Sequence, residues 1–270
     1  MRLPQTFNLH SHTSRCGHAS GTDEDYVLHA RDAGFTLLGF SDHVMLPGVT
    51  QIGIRANYDV VPEYVRSINE LKEKYRGQME IHVGFEAEWL GEEFAWYYRD
   101  LLTTGRVSYL LLGQHCFHKD GALTWYATLP HGESIKRYTK DLIAGMDSGL
   151  FLYVCHPDTF LRWHGELDDE ARQACIDICL AAKRNNIPLE INLSIGRFAF
   201  DRLTKPGSLE YPCAMFWDIA SAIGVTCVFG VDAHNPADYQ TTPYDYYIQF
   251  AEDHQLKLLR DSPLKDRKKL

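Results

Sequence analysis

The feature that most constrains this chain is a sevenfold alternation of short apolar runs with longer amphipathic segments. The runs are "TFNLH" (6–10), "TLLGFSDH" (36–43), "EIHVGFE" (80–86), "SYLLLGQH" (108–115), "GLFLYVCH" (149–156), "IPLEINLS" (187–194) and "VTCVFGVD" (225–232). Each is short, rich in apolar or β-branched residues and bounded by turn formers, the pattern of a buried strand. Between them the spacing predicts helices over 22–33, 59–75, 133–146, 168–185 and 213–224, with a last one over roughly 243–260. Thr22 is a suitable N-cap followed by acidic residues, and Gly77 lies where the second helix should stop. Strand and helix repeated in this way imply an α/β fold on a parallel sheet, open or closed. In either form, chemistry gathers at the carboxyl ends of the strands. With no Gly/Ser/Pro-rich linker in 270 residues, a single domain over 1–270 is expected.

The run ends carry the chemistry. The first ends on His10 with His12 just beyond, the second on Asp42 and His43, the third on Glu86, the fourth on His115 and the fifth on His156. The seventh ends on Asp232, with His234 following; the sixth offers Asn192 and, further on, Arg197. His18 follows in the loop after the first run. Six of seven proposed strands therefore deliver a His, Asp or Glu to one rim, which random placement would not produce. Imidazoles and carboxylates without thiolates suit divalent zinc, manganese or iron. Nine such residues (His10, His12, His18, His43, Glu86, His115, His156, Asp232 and His234) exceed the ligand number of one tetrahedral ion. Two or three ions are expected. Ions about 3.5–4 Å apart generate a hydroxide nucleophile and clamp a phosphoryl group in in-line displacement. Metal-assisted hydrolysis of a phosphate ester is the chemistry implied.

Composition narrows the partners. Formal net charge is −9, which disfavours a polyanion-binding surface, so no nucleic acid is expected. No run of 18 or more apolar residues occurs, so no membrane partner is expected either. The seven cysteines are odd in number and irregularly spaced, which fits a reducing cytoplasm. Cys16 lacks a partner thiolate and stays outside the ligand set, and Cys175 and Cys179 read as helix packing.

The ordered set "HSHTSRCGH", "FSDH", "VGFEAEW", "GQHCFH", "CHPD" and "VDAHNP" resembles the polymerase-and-histidinol-phosphatase (PHP) superfamily of metal-dependent phosphoesterases. The resemblance runs from His10 to His234. It implies a distorted seven-stranded (β/α)7 TIM-like barrel with the metal site at the C-terminal rim of the strands. "GFEAEW" and "INLS" look most like the stand-alone histidinol-phosphate phosphatases of histidine synthesis. By that similarity His10, His12, Glu86 and Asp232 hold one ion. Glu86 bridges to a second held by His115 and His156, and His18, His43 and His234 hold a third. The small-molecule substrate implied is L-histidinol phosphate; a nuclease or nucleotide phosphodiesterase of the same superfamily is the alternative.

A phosphate substrate also needs cationic donors. Arg162 follows the fifth run and Arg197 the sixth, and a guanidinium grips two phosphate oxygens at once. Arg55 and Arg15 are weaker candidates. Asp42 or His234 is expected to protonate the leaving alkoxide, although Asp42 could instead orient a neighbouring imidazole. The loop "LPGVTQIGIRANYD" (46–59) is the candidate for substrate selectivity.

Overall fold

A computed structural model describes residues 3–164, 167–194 and 211–266. Four parallel strands, β1 (Phe7–Asn8), β2 (Leu37–Phe40), β3 (Glu80–Ala87) and β4 (Tyr109–Leu112), form a sheet in sequential order. A hairpin, β5 (Cys116–Lys119) and β6 (Ala122–Trp125), follows. The sheet resumes with β7 (Leu189–Asn192), β8 (Thr226–Gly230) and a two-residue β9 (Lys257–Leu258), again parallel. The expected strand over 149–156 is reduced to one residue: Val154 bridges Leu112 on one side and Leu189 on the other. Backbone bonds from Leu112 N to Tyr153 O and from Glu190 N to Val154 O carry the ladder across this point.

The helices are α1 (Asp23–Ala33), α2 (Val61–Lys74), α3 (Glu92–Thr103), α4 (His131–Asp147), α5 (Leu161–His164), α6 (Asp169–Asn185), α7 (Ala214–Ile223), α8 (Asp238–Thr241) and α9 (Tyr244–Asp253). Thr22 caps α1 in a capping box with Asp25. The helix expected over 243–260 stops at Asp253, because Gln255 turns into the left-handed region before β9. Neither α3 nor the hairpin was expected from periodicity.

Side chains alternate across the curled sheet. Leu38, Phe40, Leu110, Leu112, Ile191 and Phe229 join the main core, which also takes the apolar faces of the helices. Phe7, Leu9, Leu37, Tyr109, Leu111, Tyr153, Cys155 and Val228 form a second core on the opposite face. The inner face holds little bulk at Gly39 and Gly84 because Tyr109 occupies that space: a Cβ on either glycine would lie 2.2 or 2.4 Å from its ring or hydroxyl. β8 returns beside the first strand. Ser11 bridges Ala233, Gln5 exchanges bonds with the Phe229 backbone, and Asn8 Oδ1 accepts from Val231 N. Two buried side-chain amides thus complete the backbone hydrogen bonding along this seam.

Candidate metal centre

Glu86, near the end of β3, is 1% exposed and sits among five imidazoles. Its Oε2 lies 3.0 Å from His43 Nδ1, 3.5 Å from His12 Nε2 and 3.7 Å from His10 Nε2. Its Oε1 lies 2.7 Å from His156 Nε2 and 3.5 Å from His115 Nε2. Asp232 Oδ1 adds contacts of 3.1 Å to His12 Nε2 and 3.4 Å to His10 Nε2. His234 Nε2 faces His18 Nε2 at 3.1 Å. Among the described residues, a cleft of about 260 Å³ is lined by His12, His18, His43, Glu86, His115, His156, Asp232 and His234, with Ile54, Thr159, Trp125 and Trp163 at its sides.

Buried carboxylates stand behind three of the imidazoles. His10 Nδ1 is 2.8 Å from Glu190 Oε2, His12 Nδ1 is 3.5 Å from Asp42 Oδ1, and His115 Nδ1 is 3.4 Å from Glu88 Oε1. Each pairing turns Nε2 toward Glu86. These imidazoles are the ones whose pKa is raised. For His12, burial opposes the charge, but Asp232 and Asp42 outweigh it and lift the group to about 9. For His10, burial is outweighed by its neighbours, Cys155 and Glu190 foremost. Glu86 and Glu88 overcome burial in the same way at His115. His43 and His234, by contrast, are pushed down to about 4 and about 3 by burial and by the charge on His12. Burial alone would raise Glu86 and Asp232; the imidazoles hold both well below the usual carboxylate range.

The donor set fits divalent ions. His10 Nε2 and His12 Nε2 face each other at 3.3 Å, although the Nδ1 atom of each faces a carboxylate. Both Nε2 atoms are turned on Glu86 and Asp232, where a divalent ion would share them. Glu86 Oε2 is buried and accepts no hydrogen bond despite three nearby ring nitrogens. Ligand atoms of His10, His12 and Asp232, and of His12, His43 and His234, fall within 4.8 Å of one another. Two of the residues are held in left-handed backbone conformations, His156 at φ 32° and Asp232 at φ 49°. Non-glycine residues adopt this region at a cost, and they do so most often where a site dictates it.

The model of the PHP domain matches residues 8–194. The chain belongs to the PHP domain family. A histidinol-phosphatase of Bacillus subtilis is 34% identical, with 85% of this chain and 93% of that protein covered. A probable histidinol-phosphatase of Deinococcus radiodurans is 28% identical over 85% of this chain and 86% of its own. The histidinol phosphate phosphatase of Lactococcus lactis, solved with zinc, L-histidinol and phosphate, superposes with a TM-score of 0.68 at 15% identity. It covers 96% of this chain and 98% of that one, and shows likeness of fold. A mixed α/β fold with a curled parallel sheet is thus shared with PHP phosphatases.

Within this PHP fold the nine residues singled out from the sequence converge on one cleft, with His10 behind the others and fully buried. Asp42 sits behind the cleft: Thr13 Oγ1 donates to its Oδ2, His43 N donates to its Oδ1, and it is 1% exposed. Its pKa is lowered, since burial is overcome by His12. The Arg162 guanidinium, on α5, lies 5.4 Å from the Tyr211 ring centre. Arg197 falls outside the described residues. Arg15 is spent on Asp23 and Glu63, and Arg55 on Glu88. Glu190 and Glu88 were not singled out. Glu190 could have been found as a carboxylate inside an apolar run, sharing strand parity with Asn192, which donates to it and to Asp232.

Proposed function

We propose that this PHP protein is a metal-dependent phosphomonoesterase that hydrolyses L-histidinol phosphate to L-histidinol and phosphate in histidine synthesis. The observation that carries it is the convergence of five imidazoles on the Glu86 carboxylate. Relatives named histidinol-phosphatase, matched over most of both chains, supply the substrate.

His10, His12, Glu86 and Asp232 form one donor set. Glu86 with His115 and His156 would form a second, and His18, His43 and His234 a third. Zinc, manganese or iron suits all three; the zinc in the Lactococcus lactis enzyme favours zinc. Divalent ions bound there supply Lewis-acid charge to the phosphoryl oxygens and lower the pKa of water. Asp42 acts by orienting His12, because both its oxygens are already engaged behind the cleft. His234 lines the mouth of the cleft, but a ring whose pKa is pushed down to about 3 has no proton to give near neutral pH, so its place is among the ion ligands. Arg162 and Arg197 are assigned to the phosphate oxygens. The Val154 and Ser11–Ala233 bridges support a closed (β/α)7 barrel in which 149–156 provides the fifth stave. Seven buried cysteines, none in a disulfide, support a reducing cytoplasm.

The test is turnover of a panel of phosphate monoesters and single-stranded DNA by protein stripped with chelator and reloaded with zinc or manganese. Selective, metal-dependent hydrolysis of histidinol phosphate is expected. Comparable release of mononucleotides would replace the substrate while leaving the chemistry.

A further inference from the structure

Residues 46–57 cross one side of the cleft and are fastened to it at two points. Arg55, 3% exposed, donates from Nη2 to Glu88 Oε1 at 2.7 Å and from Nη1 to Glu88 Oε2 at 3.1 Å. The same guanidinium holds Val44 O and Gln51 Oε1, so it ties both the start and the tip of the loop to Glu88. Glu88 in turn faces His115 Nδ1 at 3.4 Å, and the other nitrogen of that ring faces Glu86. At the opposite edge Gly53 O lies 3.0 Å from His18 Nδ1. The backbones approach so closely there that a Cβ on Gly17 would sit 2.9 Å from Gly53 Cα.

We propose that Arg55 is a positioning residue. Through Glu88 it sets the His115 imidazole for its ion, and it thereby couples the order of loop 46–57 to occupancy of the metal centre. This rests on the metal-dependent reading of the site. A bidentate guanidinium fixes the plane of the Glu88 carboxylate, which a lysine could not do. A carboxylate behind a ligating imidazole fixes its tautomer and its direction, and losing such a partner costs about 10–100-fold in metal affinity. Because the loop hangs on the same guanidinium, a ligand that holds His115 in place also holds the loop.

The experiment compares the full chain with the variants Glu88→Gln, Arg55→Lys and Gln51→Ala, with Glu24→Gln at an exposed pair as control. Zinc affinity is read by competition with a chromophoric chelator, and amide exchange of residues 46–57 is followed with and without zinc. Glu88→Gln and Arg55→Lys are expected to lose about 10–100-fold in affinity for one ion. Zinc should slow loop exchange in the unaltered chain and fail to do so in those two. Gln51→Ala removes only the loop tether, so it should keep the affinity and speed the exchange. Unchanged zinc affinity in folded Arg55→Lys, or loop exchange indifferent to zinc in the unaltered chain, would overturn the proposal. An unaltered chain that binds neither zinc nor manganese would instead sink the metal-dependent reading itself.

Discussion

Gly113 faces Glu86 so closely that a Cβ at position 113 would lie 2.0 Å from Glu86 Oε1 and 2.5 Å from its Cδ. The backbone of Gly113 is not in the left-handed region, and the three atoms nearest such a Cβ all belong to Glu86. Gly113→Ala should therefore act as a displacement of the Glu86 carboxylate. A misplacement of about 1 Å at a reacting centre costs on the order of 100-fold in rate. We expect that loss in kcat/KM for histidinol phosphate with a native circular dichroism spectrum. Full activity in the folded variant would mean that Glu86 is not at the reacting centre.

A second small residue protects a second carboxylate. A Cβ on Gly230 would lie 2.0 Å from Glu190 Oε2, the atom that meets His10 Nδ1. Glu190→Gln keeps the shape and removes the charge, while Gly230→Ala pushes the group away. Each is expected to weaken metal binding by about 10–100-fold, the range for losing such a partner. Because both act through His10, the double variant should be little worse than the poorer single one. Additive losses, measured by titration with zinc, would separate the two effects.

Most of the candidate site was legible because its residues end apolar runs: His10, His43, Glu86, His115, His156 and Asp232 each follow a segment whose burial is encoded locally. Of what supports them, Asp42 was legible beside His43 and the other two carboxylates were not. Glu190 looks like ordinary strand polarity until the curl of the sheet turns it towards His10, and Arg55 and Glu88 meet across 33 residues of chain. The helix Glu92–Thr103 escaped because its aromatic residues and the tight Gly91 entry blur the apolar stripe. Residues 149–156 read as a strand from their apolar content. The structure leaves one bridging residue, Val154, because regular parallel pairing requires both neighbours in register, and register is a property of the assembled sheet.

Tyr109 offers a stability prediction inside the curl. Its hydroxyl meets Leu9 O at 2.7 Å and Phe40 O at 3.1 Å, the carbonyls just before His10 and Ser41. Tyr109→Phe retains the ring that fills the space over Gly39 and Gly84 but removes the buried hydroxyl from which both carbonyls accept. Unmet buried polar groups cost about 1–3 kcal/mol. For a chain of this size that corresponds to a fall in Tm of roughly 2–10 °C. Thermal unfolding of the metal-free protein is the appropriate measurement, and no change would show that the hydroxyl is dispensable.

Metal binding should release protons, with a pH dependence set by His12. In the metal-free protein, burial disfavours the charge on this ring, but Asp232 and Asp42 raise its pKa to about 9. Its ordinary value is near 6.5, so at pH 7 the folded protein carries a proton that an unfolded chain would largely have lost. Nε2 lies 3.1 Å from Asp232 Oδ1 and must be bare to act as a ligand. The sign follows: the proton is present below about 9, competes with the ion throughout that range, and ceases to compete above it. Apparent zinc affinity should therefore climb between pH 6.5 and 9, and the heat of binding at pH 7 should vary with the ionisation enthalpy of the buffer. Asp42→Asn removes one of the two carboxylates that hold the proton, so it should reduce the number released. A binding heat independent of buffer at pH 7 would show that the metal-free centre holds His12 neutral.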